Sequence, residues 1–164
     1  MARLSVDEED AAVARVKAAR EQHDVAAITA ELAASLGSSL VVACCCLTFV
    51  VDSIAPAAAA SADVLLLVLE AVRRHADYDG VTSSACALVA KLLRLNAGLV
   101  VPAVKGGALE LALATVRSPQ SGLNAVTAAL YIFVQVLLST EHAVRAVQLG
   151  VVEVRCRAND VSTL

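Results

Sequence analysis

Apolar residues recur at helical spacing along most of the chain, most clearly between Gly107 and Gly150. Leu109, Leu113 and Val116 are four and three residues apart and share one helical face. Ser118-Pro119 then breaks the pattern, because proline lacks an amide hydrogen and disfavours helical backbone in the residue before it. Ser121-Gly122 extends the break. Leu123, Val126, Leu130, Val134 and Leu137 make a second apolar stripe, spaced 3-4-4-3. Ser139-Thr140-Glu141 opens a short third helix that carries Val144 and Val147, and Gly150 closes it.

The same pattern returns upstream. Leu65, Leu67, Leu69, Val72 and Arg73 lie 44 residues before Leu109, Leu111, Leu113, Val116 and Arg117. Gly80, Ala87 and Leu88 lie 42 before Gly122, Ala129 and Leu130, and Ala103, Val104 and Gly107 lie 43 before Ala146, Val147 and Gly150. From Asp24 a weaker copy begins. Val25, Ile28, Leu32 and Leu36 share a face, Leu40 to Asp52 is its long helix, and Pro56 with Ala57 to Ala60 stands where the others carry a short helix. Residues 1–23 come before it as a capping helix. There Ser5 and Glu8 have capping-box spacing, and acidic residues fill the first turn, where the helix dipole favours negative charge. The expected organisation is an N-terminal helix over 1–23, units over 24–62, 63–106 and 107–150, and a truncated unit over 151–164.

A period near 43 with three helices per unit points to armadillo repeats. GGALELALATVRSP resembles the second helix of such a repeat, TAALYIFVQVLL the third, and EHAVRAVQLG the short first helix of the next. The chain from about residue 24 onward resembles the armadillo-repeat superfamily. The resemblance implies an all-α, right-handed solenoid whose third helices line a concave groove. Peptide-binding members carry third helices similar to AALWALANLA, with Trp and Asn facing the groove. Tyr131 matches the Trp and Gln135 the Asn; one unit earlier the matching residues are Val89 and Leu93, and in the weakest unit Cys46 and Val50. An amide both donates and accepts hydrogen bonds along a peptide backbone. With the amides reduced to Gln135, the expected floor is mostly apolar and suits an amphipathic helix.

Composition narrows the function. Aromatic residues are 2% of the chain and hydrophobic residues 59%, which suits close packing of small side chains between helices. A net charge of −3 leaves no electrostatic footprint for nucleic acid. Leu32 to Val51 and Ser118 to Thr140 are charge-free runs of about bilayer-spanning length, but each contains a loop signal, Gly37-Ser38-Ser39 in one and Ser118-Pro119 in the other. Cys44, Cys45 and Cys46 point in three directions on a helix and cannot share a metal ion. Together with Cys86 and Cys156 they form no disulfide framework, which favours a reducing, cytoplasmic setting with the nucleus left open.

His23, His75 and His142 stand apart near helix ends, and no GK[ST] follows Gly106-Gly107, so neither catalysis nor a cofactor is expected. After Gly150 the segment VVEVRCRANDVSTL starts another unit without completing it, and Arg155 and Arg157 interrupt its apolar pattern. That end could cap itself by self-association. The expected function is a non-catalytic scaffold that binds a protein or peptide segment in the groove. The alternatives are a structural piece of a larger repeat assembly and a membrane-associated helical protein.

Overall fold

A computed structural model of the chain describes residues 4–51 and 53–138. Within them the protein is all-helical, with no strand. Nine α-helices run in order: α1 Val6–Glu21, α2 Val25–Ala34, α3 Ser39–Phe49, α4 Ala55–Ala58, α5 Ala62–Arg74, α6 Asp79–Leu95, α7 Val100–Gly106, α8 Ala108–Arg117 and α9 Leu123–Leu137. The helix expected over residues 139–150, the truncated unit at 151–164, and His142, Cys156, Arg155 and Arg157 lie outside the described residues.

Side-chain caps set four of the nine helix starts. Ser5 and Glu8 form the anticipated capping box, the Glu8 carboxylate accepting from the Ser5 amide at 2.7 Å. Asp24 accepts from the Ala27 amide at 2.9 Å, Ser38 from Val41 at 3.3 Å and Ser61 from Asp63 at 2.9 Å, each satisfying an amide that the helix itself leaves open. Asn96 ties the end of α6 to the preceding unit. Its amide donates to the Ala59 carbonyl at 2.9 Å while its carbonyl accepts from Gly98 at 3.0 Å.

The end of α1 carries local strain. The His23 amide donates to Arg20 at 3.1 Å and the Asp24 amide to Ala19 at 2.9 Å, the two bonds of a Schellman ending. His23 occupies the left-handed position with φ 55°. A Cβ is disfavoured there, so His23→Gly should raise stability by about 0.5–1 kcal/mol, after allowing for glycine's greater freedom when unfolded. Thermal melts of the two proteins check this; an unchanged or lower Tm contradicts it.

Helices further along the chain bury faces equivalent to those of earlier ones. Val64, Leu65, Val68, Leu69 and Ala71 of α5 are buried, and so are the residues 44 positions on in α8: Ala108, Leu109, Ala112, Leu113 and Thr115. Val81, Ala85, Leu88, Val89 and Leu92 of α6 match Ala125, Ala129, Ile132, Phe133 and Val136 of α9 at the same spacing. The earliest match is more compressed: Val41, Val42, Cys45, Cys46, Thr48 and Phe49 of α3 match buried residues of α6 40 positions on. Helix α6 is central, with α3 on one side, α9 on the other, and α5 and α8 behind. One continuous apolar core results, running from Ala12 to Val136.

Two expectations need correction, and a third, the loop signals inside the charge-free runs, is met. The segment containing Pro56 does form a short helix: α4 buries Ala55 and Ala58, and proline is tolerated because it sits in the first turn. The stripe chosen for α9 faces outward, with Leu123 82% exposed and Leu130 and Val134 about half exposed, while the smaller Ala125 and Ala129 help form the buried side. The charge-free runs are also interrupted. The turn between α2 and α3 divides the first, and the second enters α9 only at Leu123. No single described helix is long and apolar enough to cross a membrane; the segments Ala97–Gly106 and Ala108–Arg117 reach the length together but are bent by 76° at their junction.

Candidate functional site

The long helices α6 and α9 share one open cleft of about 330 Å³, which reaches Val50 just past the end of α3. Ala87, Ala90 and Ala128 give it a low floor. Lys91 and Arg94 of α6 stand on one wall; Asn124, Thr127 and Tyr131 of α9 stand on the other, and Val50 closes the α3 end. Small residues at the floor keep the helices close and leave room above them. The polar groups therefore ring an apolar surface. That suits recognition of a side-chain-bearing segment, with no reacting atom held by converging acids, bases or nucleophiles.

Of the four groove residues expected from sequence, Tyr131 is half-buried and lines this cleft. Gln135 is also half-buried and follows one helical turn later on α9, past the lining residues. Val89 and Leu93 are not in the groove: they are 0% and 1% exposed and belong to the core behind α6. The error came from equating Gly80 with Gly122. Gly80 is the second residue of α6, whereas Gly122 is the residue that caps α9. Aligning cap with cap, Tyr78 with Gly122, gives a spacing of 44. At that spacing Ala87 corresponds to Tyr131 and Lys91 to Gln135. Two residues on a helix is a turn of about 200°, enough to move a side chain from groove to core.

Sequence reasoning missed Ala87, Lys91, Arg94, Asn124 and Thr127. A signal was available, because Gly80, Ser83, Ala87, Lys91 and Arg94 form the small or polar stripe of α6 at 3-4-4-3 spacing. Asn124 offers the amide chemistry that had been assigned to Gln135, at the opposite end of the helix from the expected position. The Thr127 hydroxyl is partly committed, donating to the Leu123 carbonyl at 2.9 Å.

A larger hollow, about 430 Å³, lies where α5, α7 and α8 meet around Gly106 and Gly107. Gly107 takes φ 98°, which a side chain would strain, and a Cβ at Gly106 would come within 2.6 Å of the end of the Leu69 side chain. Arg73 on its rim is already paired with Glu70 at 3.0 Å, and Glu110 has a protein partner.

The cysteines match the expected geometry. Cys45 and Cys46 are buried and Cys44 is half-buried. Burial pushes the Cys46 thiol up to about 12, opposed by a hydrogen bond with Ser84, and the Cys86 thiol up to about 11, opposed by Thr115. Burial raises Cys45 as well, aided by the neighbouring thiols and Glu31. These groups stay as neutral thiols and lack nucleophilic character at ordinary pH. Cys86 donates to the Ala125 carbonyl at 3.8 Å, linking α6 to α9. His23 and His75 sit at the ends of α1 and α5, and a His75 ring nitrogen lies 2.9 Å from the Leu36 carbonyl, where it joins two units. Among the described residues no group of three His, Cys, Asp or Glu side chains could hold a metal ion. Compared with known proteins, the chain matches no family model, no curated protein and no solved structure.

Proposed function

We propose that this chain is a non-catalytic protein–protein interaction scaffold, an armadillo-like right-handed solenoid that takes a partner segment along the face shared by α3, α6 and α9. One observation carries the reading: an open cleft runs between α6 and α9, floored by alanines and walled by Lys91, Arg94, Asn124 and Tyr131. The alanines let α6 and α9 approach closely and leave space above them for side chains from outside. A cytoplasmic setting belongs to the same reading and rests on the free thiols Cys44, Cys45, Cys46 and Cys86.

Ala87→Arg tests the proposal by filling the cleft from its floor. Proteins captured by the intact chain and by the variant should be compared quantitatively by mass spectrometry. At least one protein captured by the intact chain should be depleted about tenfold or more, as expected when a bulky charge enters a binding surface, while the melting temperature stays close to that of the parent. A capture profile unchanged by Ala87→Arg contradicts the proposal. Tyr131→Ala with Gln135→Ala should weaken the same capture less severely, since Gln135 lies past the lining residues.

A second reading has its own support. Leu123, Leu130, Val134 and Leu137 leave α9 with an exposed apolar stripe, which suits a piece that stacks against a neighbouring repeat or a second copy. Light scattering separates the two: a concentration-dependent oligomer that persists in Ala87→Arg favours the assembly role.

A further inference from the structure

We propose that the segment taken by this cleft is acidic, a peptide whose carboxylates meet Arg94 while its apolar side chains rest on Ala87, Ala90 and Ala128. The inference rests on the scaffold reading and adds the partner's charge to it. Its basis is the way charge is divided over the molecule. The chain as a whole is acidic, with a net charge of −3. Its carboxylates crowd the first turn of α1 at Asp7, Glu8 and Glu9, and continue on α2, α5 and α8 at Glu31, Asp63, Glu70 and Glu110.

The groove helices differ. Among the described residues α3 and α9 carry no carboxylate, and α6 carries only Asp79, its first residue. Asp79 accepts from the Ser118 hydroxyl at 3.3 Å and lies about 22 Å along the helix from Arg94, at about 1.5 Å per residue. No described residue lining the cleft is acidic, and no ion pair among the described residues involves Arg94.

The opposite wall adds donors, the Asn124 amide and the Tyr131 hydroxyl. A guanidinium offers a planar fork that matches a carboxylate at two points. A basic segment would bring like charge onto Arg94 and Lys91, and an uncharged one would leave that match unused.

Binding of three fluorescent peptides of about fifteen residues, long enough to span the cleft at helical rise, tests this by anisotropy. All three share one Leu pattern, with Glu, Gln or Lys at every polar position. The Glu peptide should bind about tenfold tighter than the Gln peptide, and the Lys peptide should bind weakest. That advantage should shrink towards about 1 M salt, where the screening length falls to about 3 Å. Arg94→Glu should abolish the advantage of the Glu peptide over the Lys peptide, since it takes the charge of the cleft lining from +2 to 0, with the helical circular dichroism and melting temperature unchanged.

Equal binding of the three peptides, no saturable binding of any, or a Glu preference untouched by Arg94→Glu overturns the proposal. The scaffold reading fails separately. If the Gln peptide binds as well as the Glu peptide and Ala87→Arg abolishes both, the groove stands without the charge preference. If Ala87→Arg alters none of the three, the groove goes too.

Discussion

Leu92→Ala should destabilise the protein by about 2–5 kcal/mol, the usual range for a truncated core leucine. Leu92 is 0% exposed on α6, the helix that α3, α5, α8 and α9 all pack against. Several helices pack on α6, so a cavity in its buried face is not removed by the movement of one neighbour. The loss is a large share of a total stability expected to be about 5–15 kcal/mol. Urea denaturation followed by circular dichroism measures it. An accompanying fall in m would mean that the two sides of α6 no longer unfold together. A loss below about 1 kcal/mol would show that α6 is not the shared spine of the array.

Alkaline pH should produce a second large effect. Cys45, Cys46 and Cys86 are held neutral by burial, with their folded values well above the ordinary 9.0. The unfolded chain therefore releases these protons first. Stability is full below about pH 9, and it falls as pH rises from there towards the folded values. Each thiol removes about 1 kcal/mol between pH 9 and 10, or roughly 3 kcal/mol together, an order-of-magnitude figure from proton linkage. Chemical denaturation at both pH values tests this. Cys86→Ala should lower the slope by about a third, since one of three ionising groups is gone. An equal slope in parent and variant would mean that Cys86 does not resist ionisation in the folded chain.

Sequence alone reveals a feature wherever one physical signal dominates. Ser5 with Glu8 marks the start of α1, Ser118-Pro119 separates α8 from α9, and three successive cysteines must point to different sides of α3. In α5 the sequence pattern names Leu65, Leu67, Leu69 and Val72, of which Leu65 and Leu69 are fully buried and Leu67 and Val72 partly so. In α9 the pattern misleads. From Leu123 to Leu137 the helix has no charged residue, so periodicity cannot choose a face. The larger leucines were taken as core, yet alanines face α6, because close approach of two helices requires small side chains at the contact.

The candidate site was displaced for a related reason. Glycine is a sound punctuation mark only when it performs the same task in each unit. Gly122 precedes its helix and Gly80 lies inside one, so equating them rotated α6 by two residues. Val89 and Leu93 then stood in place of Ala87 and Lys91. Tyr131 survived because it was placed from its own helix and did not depend on the comparison. Arg94 and Asn124 were passed over because charge and amide groups on a helix ordinarily mean nothing more than contact with water.

The groove itself is tested most directly by a photoreactive side chain at its floor. Ala87→p-benzoylphenylalanine and, as a control on the far helix, Lys17→p-benzoylphenylalanine should be irradiated in cell extract and the cross-linked peptides sequenced. Cross-links from position 87 concentrated in a short segment of a partner, and absent from position 17, are the result expected of a scaffold that receives its partner between α6 and α9. Cross-links from position 87 that match those from position 17, or none at all, would contradict it.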